Sequence, residues 1–188
     1  MAKVHPSITP DLAEWISQQP MYFIASAPLA ADSHINLSPR GLDSFRVLNE
    51  REIIILDLTG SGNETAAHLA QNGRLTVMFC AFTGAPQILR LYGQGTVIRP
   101  DDDNWLEHRS QFADDLAGVR QIFHQQVDRI QTSCGFGVPL MELDSQRDLL
   151  TKWAMNRGED GIQEYQLEKN ATSIDGLPAP GLQTADTN

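Results

Sequence analysis

Only two cysteines, Cys80 and Cys134, occur in the 188 residues, far apart and too few for a disulfide framework. No stretch approaches the roughly 18 consecutive apolar residues that a membrane-crossing helix needs. The opening Met1-Ala-Lys-Val-His-Pro6 lacks the apolar core of a secretory signal, so the expectation is a cytoplasmic protein with free thiols. Basic residues are also scarce: 14 Lys and Arg stand against 24 Asp and Glu, a formal charge of −10. Nucleic acid and anionic membrane surfaces both require clustered positive charge, which argues against either as a partner. The five histidines show no zinc-site spacing with Cys, Asp or Glu. No Ser-His-Asp order stands out, and no Gly-x-x-x-x-Gly-Lys phosphate loop is present.

What is present reads as a soluble globular chain, 41% hydrophobic and 20% charged. Its length suits a single domain with a real core. The chain is organised around Asp57-Leu-Thr-Gly-Ser-Gly-Asn-Glu-Thr-Ala66. Before it, residues 51–56 form a β-branched apolar run of strand length. After it, residues 64–71 are good helix formers stopped by Asn72-Gly73. Strand, polar Gly-rich turn and helix start follow one another. A helix N-terminus presents unpaired N–H groups and partial positive charge, which suits a phosphate. An ordinary connection capped by Asn63 fits the same residues.

Around this unit, residues 9–19 predict a short amphipathic helix with Leu12, Trp15 and Ile16 on one face. Residues 21–27, 34–38 and 44–48 read as short strands. Residues 74–82 and 87–99 make a hairpin in which Gly93 and Gly95 predict a bulge or sharp bend. Residues 101–115 predict a helix. Residues 119–132 read as a strand although their apolar positions fit neither period cleanly. Residues 133–139 form a loop and residues 144–156 a helix; the chain is polar from Gly158 onwards, and its last segment, 177–188, predicts an extended or frayed tail. The pattern predicts a mainly β (α+β) domain, a six-stranded antiparallel barrel with peripheral helices. Its core spans about 21–139, followed by a helical extension over 140–170 and an extended tail over 171–188.

His34-Ile-Asn-Leu-Ser-Pro-Arg-Gly41, the strand–turn–helix unit, and Asn72-Gly-Arg-Leu-Thr-Val-Met-Phe79 together resemble the pyridoxamine 5′-phosphate oxidase-like family. That resemblance implies an FMN-binding split β-barrel and a homodimer with flavin at the subunit interface. It is good over 21–99 and weaker to Pro139. Carried over by position, the first flavin strand falls on 35–40, offering Ser38 and Arg40 to the cofactor. The second element falls on 58–65, offering Leu58, Thr59, Asn63 and Thr65. Arg90 is a further candidate if it faces the dimer cleft.

One departure affects the phosphate. Glu64 and Thr65 replace the Arg-Lys pair that holds it in the oxidase proper, and a carboxylate there repels a dianion. Glu64 must therefore point away or signal different ligand chemistry. Compensating charge is available from Arg40, Arg51, Arg74 or Arg90. The oxidase's C-terminal Arg-x-His pattern is not visible after Trp153, which argues against pyridoxamine phosphate as substrate.

Of the remaining residues, His68 reads as a capping or packed surface histidine, Arg74 as a partner for a carboxylate or a ligand contact, and Cys134 as a buried small thiol. Trp105 and Trp153 read as packing residues. The resemblance implies an FMN flavoprotein, an oxidoreductase acting on a small organic substrate, in which Arg40 stabilises the anionic reduced ring. No side chain is singled out as catalytic. The alternatives are a non-catalytic binding or sensing protein for flavin, deazaflavin F420 or haem, and a scaffold without cofactor.

Overall fold

The apolar run after Arg51 becomes a strand buried on both faces, and that explains why it does not alternate. Ile53 and Ile55 enter one hydrophobic cluster, while Ile54, Leu56 and Leu58 enter another on the opposite side. The structure, a computed structural model, describes residues 2–182. Its elements in order are β1 (Lys3–His5), α1 (Pro10–Ser17), β2 (Tyr22–Ser26), β3 (Asn36–Arg40), β4 (Phe45–Asn49) and β5 (Glu52–Leu58). There follow α2 (Glu64–Asn72), β6 (Arg74–Cys80), β7 (Ile88–Ile98), α3 (Trp105–Arg109), β8 (Val119–Ser133) and α4 (Leu149–Lys169). Among the described residues no helix is long and apolar enough to cross a membrane.

The strands form one antiparallel sheet in the order β3-β2-β6-β7-β8-β5-β4, with β1 added along the end of β8. The two ends of this path do not pair, so the barrel is open. β8 is its spine: it pairs with β7 throughout, with β5 through its first half, and with β1 at residues 130–132. The larger cluster fills the interior with Ile24, Val77, Phe79, Leu89, Leu91, Phe123 and Ile130. The rings of Tyr22, Phe45 and Phe79 meet there at 5.0–5.5 Å between centroids. Helix α1 starts as its sequence predicts, with Pro10 at its first turn and Thr9 Oγ1 accepting from the Leu12 N–H.

The mainly antiparallel expectation holds, with eight strands in place of six; β1 is the strand that the sequence reading did not include. The glycines of β7 do mark a bulge: the β7/β8 register shifts between Tyr92 and Gly93. Two helix expectations and that of the tail change. Residues 101–115 yield only the five residues of α3. Helix α4 starts at Leu149 and continues to Lys169 through a kink at Gly158, whose φ of 69° interrupts the helix. Beyond it the chain does not fray through residue 182, but turns back through the Thr172–Pro178 bridge onto the rest of the domain. Residues 183–188 of the expected tail lie outside the described residues.

Candidate cofactor site

Strand β5 ends by burying a charge. The Asp57 carboxylate is fully shielded from solvent and accepts from both sides: Arg40 on one oxygen, and Arg120 Nε at 2.9 Å and Gln121 Nε2 at 2.8 Å on the other. Burial alone pushes this carboxyl up, but Arg120 and then Arg40 outweigh it and hold Asp57 below the usual carboxylate range. A cluster of two guanidinium groups and one carboxylate therefore sits under the Gly-rich turn with one positive charge in excess.

The same network grips the turn. Arg120 donates to the Gly62 carbonyl at 3.1 Å and to Asn170 Oδ1 at 2.6 Å. Asn170, just past α4, donates to the Gly60 carbonyl at 3.1 Å. Gln121 donates to Asn63 Oδ1 at 2.7 Å, and Asn63 Nδ2 donates to the Asn170 carbonyl at 3.2 Å. Both ends of the Asn63 amide are thereby engaged, and it makes no cap bond to α2. The Asn63 cap that the ordinary-connection reading expected is absent. The start of α2, with its first N–H groups uncapped by a side chain, opens on a cavity of about 580 Å³.

Five of the seven candidate residues line that cavity: Ser38, Arg40, Leu58, Asn63 and Thr65. Asn36 ties two of them together, donating to Thr65 Oγ1 and accepting from Ser38 Oγ, both at 3.0 Å. Thr59 is buried behind the wall, and its Oγ1 accepts from Gln166 at 2.8 Å. Arg90 lies elsewhere. Strand register aligns it with Met78, Phe23 and Pro39, on the sheet face opposite Ser38 and Arg40, and it donates to Ser133 Oγ at 3.2 Å. Within one protomer the structure does not bring Arg90 to this cavity.

Glu64 does not leave the cavity but lines it, its carboxylate accepting from the Ile174 N–H on the same wall at 3.1 and 3.2 Å. Of the four arginines offered as compensation, Arg40 alone lines the cavity. Arg51 donates to the carbonyls of Val127 and Asp128, and Arg74 to Asn72 and the Pro28 carbonyl. Lys169, not foreseen, is a second cation at the cavity wall, its Nζ paired with Glu168 Oε1 at 2.7 Å. Arg120, Gln121 and Asn170 were also unforeseen, being supporters from remote parts of the chain. His68 is buried, not a surface residue; its Nδ1 faces Ser26 Oγ at 3.0 Å and its Nε2 has no partner among the described residues. Cys134 is exposed, contrary to expectation, and Cys80 is the buried thiol. Trp153 packs edge-on against Tyr165 at 5.0 Å, as a packing residue should.

The segment closing the cavity is latched by Asp175. Its carboxylate accepts from the His34 backbone N–H at 2.8 Å and pairs with His34 Nδ1 at 2.7 Å. The hydrogen bond to Asp175 raises the His34 pKa above 6.5. The raised value means the ionic part of the latch is complete below pH 6.5 and disappears as pH rises through the folded pKa. Limited proteolysis should therefore cut residues 170–182 several-fold faster at pH 8.5 than at pH 6. Asp175→Asn should abolish that difference; equal cutting of the wild type at both pH values would refute the latch.

Comparison with known proteins agrees with this architecture. The pyridoxamine 5′-phosphate oxidase family model matches residues 8–134. The pyridoxamine 5′-phosphate oxidase family protein ustO of Aspergillus flavus is 40% identical over 199 aligned positions, covering 96% of this chain and 78% of that protein. Among solved structures, tagged HupZ of Group A Streptococcus superposes with a TM-score of 0.54 at 17% identity, over 65% of this chain and 91% of HupZ. A Lactobacillus delbrueckii protein assigned as a pyridoxamine 5′-phosphate oxidase superposes at 0.51 and 14% identity, over 68% of this chain and 98% of that one. The two structures share the fold. With the family model covering both the sheet and the Gly-rich turn, the chain belongs to the pyridoxamine 5′-phosphate oxidase family.

Proposed function

We propose that this protein is an FMN-binding flavoprotein, an oxidoreductase acting on a small organic substrate. The observation that carries the reading is the uncapped start of α2 opening on a cavity of about 580 Å³ that also holds Arg40 and Lys169. The donor set fits a phosphate: first-turn N–H groups, the hydroxyls of Ser61 and Thr65, and Lys169 replacing the cations missing at 64–65. Leu58, Phe123 and Leu150 give the apolar wall that an isoalloxazine ring needs. FMN, when bound, supplies the electron or hydride acceptor. The protein's own residues do the rest. Arg40 sets a positive charge beside the ring site, Asp57 and Phe123 hold that guanidinium in place, and residues 172–174 shield the site from water.

The same reading makes the protein a cytoplasmic homodimer with the cofactor at the interface. The sheet face bearing Arg90 supports it, because Ile35 and Leu37 at the β3 edge are 75% and 64% exposed. On that face Arg90 serves the partner's cofactor or the interface itself. Two free thiols, one of them exposed, suit a reducing compartment.

The test is an absorbance spectrum of the purified protein followed by titration with FMN. Flavin bands, or saturable binding that Lys169→Ala weakens about tenfold, the equivalent of one charged contact, are the expected result. A colourless protein that does not bind FMN overturns the reading. Flavin that binds but is reduced by neither NADH nor NADPH points to a binding or sensing role.

A further inference from the structure

Next to the cofactor cavity, and sharing Pro39, Arg40 and Leu150 with it, lies a second cavity of about 560 Å³. Its wall is chiefly apolar, built by Met21, Leu42, Phe82, Met141 and Leu143. Residues 139–148, between β8 and α4, form its roof, and polar pins hold that roof at two points. The Met141 N–H donates to the Phe82 carbonyl at 2.9 Å, and Gln146 Nε2 donates to the Pro20 carbonyl at 2.9 Å. Met141 and Leu143 stay 55% and 58% exposed, so the pins span the cavity and the apolar side chains do not fill it. An apolar space kept open in this way accommodates an apolar ligand.

Arg40 stands where the two cavities meet. One of its donors, Nη1, is used on Asp57; Nε and Nη2 make no hydrogen bond among the described residues. Its side chain is 21% exposed. The Asp57 carboxylate is already shared with Arg120 and Gln121, so the excess positive charge of the cluster is expressed at Arg40. Glu142 and Arg147, one charge of each sign, also line this cavity. A guanidinium with a free edge is a bidentate receptor for a carboxylate or a similar flat oxyanion.

We propose that this second cavity is the substrate site and that its ligand is a small molecule with an apolar body and a carboxylate that docks on Arg40. Calling that ligand the substrate rests on the flavin reading; its binding does not. The full-length protein is titrated calorimetrically with 4-phenylbutyrate, 4-phenylbutyramide and 4-phenylbutanol, with and without FMN. The carboxylate should bind at least about tenfold more tightly than either neutral analogue. Leu143→Glu changes an exposed roof residue, leaves the core intact, and should weaken the carboxylate about tenfold without altering FMN affinity. Equal binding of the three probes, no binding at millimolar concentration, or an unchanged carboxylate affinity in Leu143→Glu overturns the proposal. A protein that ignores FMN yet binds the carboxylate refutes the flavin reading alone. One that binds FMN and none of the probes refutes this assignment alone.

Discussion

Asp57→Asn should cost about 3–5 kcal/mol of stability, the range for removing one partner of a buried ion cluster. The loss arises less from the missing attraction than from what remains. Arg120, buried to 6% exposure, and Arg40 would face each other across a neutral amide. The double variant Asp57→Asn/Arg120→Met should recover a substantial part of the loss, because it also removes a buried charge. Urea unfolding at pH 7 measures both, and a loss below about 1 kcal/mol in the single variant would show that the cluster matters little. Acid supplies an independent check. The folded carboxyl titrates below the unfolded value of 3.8, so its contribution is present above that pH and is lost as pH falls through the folded pKa. The Asn variant should lack this part of the acid transition. Because Arg120 and Gln121 also hold Gly62 and Asn63, the proposed FMN binding should weaken along with stability.

Gly93→Ala should be comparably damaging, for a steric reason. A Cβ at Gly93 would overlap the Gln126 carbonyl oxygen and stand 2.9 Å from the Gln126 carbonyl carbon and 3.0 Å from Val127 Cα. All three are backbone atoms of the spine strand, so no rotamer change relieves the clash. Either β7 and β8 separate at the bulge or the register slides, and a one-residue slide exchanges the two faces of a strand. The expected loss is about 3 kcal/mol or more, at the upper end of overpacking costs. Gly60→Ala is the control: nothing lies within 4 Å of its added methyl, and it should unfold close to the wild-type temperature. Thermal unfolding by circular dichroism distinguishes them, and a Gly93→Ala transition near that of the control would disprove the packing argument.

The fold was legible where local chemistry and burial agree. The β-branched run of β5, the proline start of α1, the Gly73 stop of α2 and the glycine bulge of β7 each follow from short stretches of sequence. The site was legible only on the side that the family resemblance covers. Ser38, Arg40, Leu58, Asn63 and Thr65 do converge. Their supports do not announce themselves, because they come from far along the chain: Arg120 reaches Asp57 across 63 positions, and Asn170 reaches Gly60 across 110. Asn63 has a favoured capping side chain, but Gln121 and Asn170 bind both ends of its amide first. The polar segment past Lys169 carries little apolar surface, so composition predicts an extended or frayed tail. Its order through residue 182 comes from hydrogen bonds to Glu64, His34 and the turn, which composition does not encode. Arg51 and Arg74 found neighbouring carbonyls instead of a ligand.

The spine position of β8 has a consequence during synthesis. His5 meets Thr132 across 127 positions, and β5 and β7 each wait for β8 before their second edges are paired. A ribosome delivering this chain from its N-terminus exposes β5, apolar on both faces, well before the strand that covers it emerges. Closing such distant pairings carries the loop entropy that makes non-local β topologies slow to fold. The nascent chain thus passes through a long interval as an open sheet with sticky edges, in which chaperone capture competes with self-association. The latch of residues 170–178, which follows β8 in the chain, cannot form until that interval has ended.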